Sequence, residues 1–131
     1  MMLALETAIV FFQRDPSLLP LYRQVEAAIL KRLPETTLRV GKSQIAFRNR
    51  YNYAFVSLPT RRFKGRPGRY LILTFGLGHH LEHPRIVEAV EPYPGRWTHH
   101  VLVADPAELD EELLSWVEEA YRFSQTKSRA R

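Results

Sequence analysis

Residues 91–101 read EPYPGRWTHHV, which brings a guanidinium, an indole and two imidazoles into one turn and one strand. Pro92 and Pro94 fix their own backbone angles and hold Glu91 and Tyr93 extended, and Gly95 supplies the turn. After it, Trp97, His99, Val101 and Val103 share one strand face, with Thr98, His100 and Leu102 on the other. If the tryptophan face is the inner one, two readings of His99 stand. It is a base or ligand beside an anion clamp at Arg96, or a hydrogen-bonded core histidine beside a solvated arginine.

Two other groups could do chemistry. Arg48 and Arg50 lie next to Tyr51 and Tyr53, and aromatic faces stack bases while guanidinium groups hold phosphates. The same pattern also suits core-facing aromatics on a strand whose arginines discourage pairing at an edge. Lys42, Tyr53, Arg96, Trp97 and His99 together offer a cation, a proton carrier and an aromatic wall, as a small-molecule or anion pocket would.

Other chemistries find little support. All five histidines fall between 79 and 100, but their spacing matches no ligand pattern and the HExxH signature is missing, so neither metal nor cofactor is expected. No Ser, His and Asp arrangement or phosphate loop is recognisable, and aspartate occurs only at 15, 105 and 110. The residues argue against an enzyme more than for one.

The elements that must position these groups follow from periodicity. A short helix is expected over 3–13, with Leu5, Ile9 and Phe12 on one face and Ala8 beside them. A longer helix begins between Ser17 and Pro20 and buries Tyr22, Val25, Ile29 and Leu33 before Pro34 stops it. Extended pieces follow at 37–40, 43–48 and from Tyr51 to before Pro59, the last with Tyr51, Tyr53 and Phe55 on one aromatic face. Residues 61–69 form an exposed basic loop. The run YLILTF at 70–75 argues for a strand either buried on both faces or central in the sheet. Short strands are expected at 86–90 and 97–103. Asp105, Pro106 and Glu108 make a helix start, and Leu109, Leu113, Trp116, Val117, Ala120 and Tyr121 its buried stripe. The basic tail, 125–131, is expected to fray. The order is that of an α+β domain: an antiparallel sheet of about five strands with N-terminal and C-terminal helices packed on one face.

Composition bounds the rest. The 131 residues make one domain, 1–131, with no cysteine, which suits a reducing cytoplasm, and no apolar run long enough to span a membrane. The net charge of +5 is unevenly spread. No acidic residue lies between Thr36 and Leu81, where Arg39, Lys42, Arg48, Arg50, Arg61, Arg62, Lys64, Arg66 and Arg69 account for nine of the 19 basic residues. All 14 acidic residues face the other ten. The middle is cationic and the ends are not.

Lys42, Gln44, Ile45 and Phe47 of KSQIAF, the GLG at 76–78, EPYPGRWTHH, then LDEELL and the EAYRFS at 119–124 resemble an uncharacterised bacterial family, the domain of unknown function 5655, over about 11–124. The resemblance implies a small protein standing alone, or a C-terminal module beside other domains, some nuclease-like. It implies no particular activity, and His79 and His80 lie outside its motif. The expectation is therefore a cytoplasmic, non-catalytic binding module whose basic surface takes an acidic partner such as nucleic acid. The alternative is the pocket of Lys42, Arg96, Trp97 and His99. Self-association or a protein partner, through the apolar first helix, is a further reading.

Overall fold

The computed structural model describes residues 8–60 and 64–126. Six strands form one antiparallel sheet in the order β1-β2-β3-β4-β6-β5. They are β1 (Thr37–Val40), β2 (Ile45–Asn49), β3 (Tyr51–Ser57), β4 (Leu71–Leu77), β5 (Ile86–Tyr93) and β6 (Arg96–Val103). The helices are α1 (Leu19–Arg32) and α2 (Glu111–Ser124). The fold is α+β as expected, with six strands where about five were expected. β5 runs on through Pro92 because it is an edge strand, where a missing N–H deprives no neighbour, and a register shift between Val90 and Tyr93 absorbs the misfit. Pro94 and Gly95, the latter at φ 77, then close a two-residue turn.

One sheet face carries the core. Reading across the register, Phe47, Ala54, Phe75 and His99 make one row, and Ile45, Val56, Leu73 and Val101 the next. All of these are buried, and α2 covers them with Leu113, Trp116, Val117 and Ala120. α1 packs beside α2 and adds Tyr22, Val25 and Ile29, while Leu33 is half-buried. Truncating one such leucine or phenylalanine to alanine costs about 2–5 kcal/mol in a packed core. Of the two readings of YLILTF, the central place is the one found: β4 lies between β3 and β6, and its residues alternate between buried and half-buried.

Several expectations are corrected. At the N-terminus Ala8 and Phe12 are buried, but Ile9 is 45% exposed, so the inner face is not the Ile9 face. Residues 8–11 are helical, and a 3-10 turn, Phe12–Arg14, ends them early. Residues 1–7 of that helix, 61–63 of the basic loop and 127–131 of the tail lie outside the described residues. Pro20 sits in the first turn of α1, where its absent N–H has no intrahelical partner to lose. The capping box at Asp105 is real but closes only a 3-10 turn, Pro106–Glu108. The chain restarts at Asp110, whose carboxylate accepts the Leu113 N–H at 3.0 Å and caps α2.

The aromatic face of β3 does not form. A bulge opposite the Phe47/Arg48 step gives β3 one extra residue, Tyr53. It breaks the alternation: Tyr53, Ala54 and Val56 are buried, whereas Tyr51 and Phe55 are half-buried.

Candidate functional site

The second face of the sheet has no described helix on it. The register places Arg39, Ala46, Phe55, Thr74, His100 and Glu88 across it in one row, with Ser57, Ile72 and Leu102 in another. Phe55, Ile72 and Leu102 are half-buried and are not among the apolar residues that pack against the main core. Ala46 is buried and likewise apart from that core. Arg48 adds a second guanidinium to this face beside Arg39, and its Nη2 donates to the Arg50 carbonyl at 2.9 Å. Near the middle, Thr74 Oγ1 bonds His100 Nδ1 at 2.8 Å. Burial holds the His100 imidazole below its ordinary pKa, with Arg66 pushing the same way and Glu88, 3.9 Å off, pushing back.

Charge pairing divides the molecule. Arg32 is tied to Glu111 and Glu118, Arg85 to Asp110 and Glu112, and Arg122 to Glu118. Arg39, Lys42, Arg48, Arg50 and Lys64, by contrast, have no carboxylate partner among the described residues. Arg69 meets Asp15 at 3.7 Å, with both side chains largely exposed.

The residues singled out in the sequence fall into three places. Lys42 sits in the β1–β2 turn, at the opposite end of the sheet from Arg96, so the pocket of Lys42, Arg96, Trp97 and His99 is not assembled. Arg48, Arg50 and Tyr51 mark the β2–β3 turn, where Arg50 adopts φ 71 and lies 5.7 Å from the Tyr51 ring centre. Tyr53 is 3% exposed, shares a 2.6 Å hydrogen bond with Thr36 and meets Tyr121 edge-on. Burial pushes its hydroxyl up to about 12, and the ring is closed to a stacking ligand.

On β6, His99 is the core histidine of the two readings. It is fully buried, stacks on Phe75 at 5.3 Å, and its Nε2 accepts the Leu81 N–H at 3.0 Å. The proton of the neutral ring is therefore on Nδ1, which makes only a weak approach to the Phe75 backbone and no well-formed hydrogen bond. Burial lowers its pKa. Trp97 stacks on His80 at 4.6 Å, above His99. Arg96 lies over the Phe123 ring at 5.8 Å.

Sequence reasoning missed how the 79–85 segment joins this column. His79 bonds Glu119 at 2.8 Å, His83 bonds Glu112 at 2.9 Å, and His83 and Arg85 both lie against Trp116. The hydrogen bond to Glu119 raises the His79 pKa. Among the described residues, no cluster of His, Cys, Asp and Glu could hold a metal. Each of these histidines is opposed by a carboxylate or an aromatic ring on α2, a pattern that sequence separations of 29–40 residues conceal.

A family model described as a domain of unknown function (DUF5655) matches residues 10–124. No curated protein and no solved structure matches the chain.

Proposed function

We propose, for a chain that belongs to the family of the domain of unknown function (DUF5655), that the helix-free sheet face binds single-stranded nucleic acid without catalysing a reaction. One observation carries the reading: Arg39, Lys42, Arg48, Arg50 and Lys64 meet no carboxylate among the described residues, whereas Arg32, Arg85 and Arg122 are ion-paired with acidic residues of α2 and its cap. Arg39 and Arg48 would hold phosphates, and Phe55, between the small residues Ala46 and Thr74, would stack a base. Of the arginine–tyrosine pairings read from the sequence, that of Arg50 with Tyr51 is kept, and the buried Tyr53 is replaced by Phe55. No helix among the described residues is long and apolar enough to cross a membrane. The reading assigns the domain to the cytoplasm, which fractionation of the source cells would check.

Fluorescence anisotropy with a labelled single strand of about 20 nucleotides tests it, at about 50 and about 200 mM salt. Binding should be micromolar at low salt, fall steeply at high salt, and weaken several-fold in Phe55→Ala. Absence of salt-sensitive binding at tens of micromolar, or preference for duplex, overturns it.

A further inference from the structure

β3 and β4 are paired from Ser57↔Ile72 to Ala54↔Phe75 and no further, while β4 continues against β6 as far as Leu77↔Trp97. The bulge in β3 is the cause, because the extra residue bends Asn52 and Tyr53 off the β4 track. Where the strands part, a cleft of about 40 Å³ opens, lined among others by Asn52, Thr74, Arg96, Thr98 and Phe123. That is about three to four times the room one water needs.

Two residues that line this cleft carry polar groups without a charged or hydrogen-bonding partner among the described residues. Arg96 has no carboxylate within ion-pair distance among the described residues, although its guanidinium is held against the Phe123 ring at 5.8 Å. Its Nη2 lies across Gly76, only 3.8 Å from where a Cβ would stand. The Asn52 amide oxygen is buried and accepts no hydrogen bond, which costs about 1–3 kcal/mol unless a donor arrives. A ligand that satisfies both must carry negative oxygens for the guanidinium and an O–H for the amide.

We propose that the cleft binds a protonated phosphate, either hydrogen phosphate or the terminal group of a phosphate monoester. The charged oxygens meet Arg96, the remaining P–OH donates to Asn52 Oδ1, and the Thr98 hydroxyl lines the same wall. Phosphodiesters inside a nucleic-acid strand have no such proton, so the ligand class differs from that of the proposed strand-binding face, although Phe55 and Thr74 border both the cleft and that face.

Calorimetric titration of the full chain at pH 6 with inorganic phosphate, and with sulfate at matched ionic strength, tests the assignment. Phosphate should bind at least about tenfold more tightly than sulfate, since sulfate has no proton to give. Arg96→Gln should lose at least about tenfold, and Asn52→Leu should erase the preference between the two anions. Equal affinities in the unaltered protein, or unchanged binding in Arg96→Gln, overturn the proposal. Should either variant fail to fold, phosphate-induced shifts of the Asn52 side-chain amide in the unaltered protein decide the matter, and their absence is equally fatal. A nucleoside monophosphate that binds more tightly than inorganic phosphate identifies an organic monoester as the ligand. Equal binding identifies the free anion.

Discussion

At the residue scale, the burial of His99 has a pH signature. Its imidazole is neutral in the fold and its pKa is lowered by burial, with His80 and His79 acting in the same sense and Glu119 opposing them. The unfolded chain therefore binds a proton near the ordinary value of about 6.5 that the folded chain refuses. Stability is fully present above that value and falls as pH drops below it, by up to about 1.4 kcal/mol per pH unit for each such group. His100 is lowered too and adds to the slope. His79 is raised, so it contributes stability below about pH 6.5 that is lost as pH rises through its folded pKa, a smaller effect for so exposed a side chain. Denaturant melts from pH 8 to 5 should show His99→Leu less stable at pH 8 by about 1–3 kcal/mol, because the Leu81 N–H loses its acceptor. Its curve should also be flatter below pH 6.5. A variant with the parent's slope would mean that His99 is protonated in the fold.

At the element scale, the two ends of α2 make different demands. At its start, Asp110 both caps the Leu113 N–H and receives Arg85, contacts that hold its carboxyl below the usual range. Asp105, on a three-residue turn, caps Ala107. Asp110→Ala should therefore lower stability by about 1–2 kcal/mol and Asp105→Ala by less, as thermal melts would show. At the other end, Gly78 admits Phe123: a Cβ there would stand 2.9 Å from the ring. Gly78→Ala should cost about 1–3 kcal/mol and move the ring from beneath Arg96, weakening phosphate binding by shifting one wall of the cleft.

These same elements show what the sequence disclosed. Periodicity was enough for the stripes Tyr22, Val25, Ile29 and Leu113, Trp116, Val117, and for putting His99, Val101 and Val103 on one face of β6, because each depends on spacing within one element. The bulge at Tyr53 was illegible, since it arises from the pairing of β3 with β2 and takes the tyrosine from the aromatic face into the core. The real start of α2 was hidden for a different reason. Two acidic caps stand five residues apart, and the one that begins the helix is Asp110, which also meets Arg85 from a segment 25 residues away. Asn52 and Phe123 were missed because the cleft joins a strand to a helix end distant in sequence.

At the scale of the whole molecule, ion pairing is concentrated on one side of the sheet. The acidic residues of α2 and its cap neutralise Arg32, Arg85 and Arg122, whereas Arg39 and Arg48 on the helix-free face meet no carboxylate among the described residues. A field of this kind attracts any polyanion, so affinity alone does not separate a designated binding face from general stickiness. The salt dependence does. Each phosphate contact on a single strand contributes about 0.7 to the slope of log affinity against log salt. If Arg39 and Arg48 each meet a phosphate, Arg39→Gln and Arg48→Gln should each reduce the slope by about that amount, and together by about twice it. Lys42→Gln, in a turn at the sheet's other end from the β2–β3 turn, should reduce overall attraction slightly and leave the slope nearly unchanged. Slopes that fall equally for all three would reduce the helix-free face to one part of a diffuse positive surface. A fall confined to the two arginines would tie binding to the sheet.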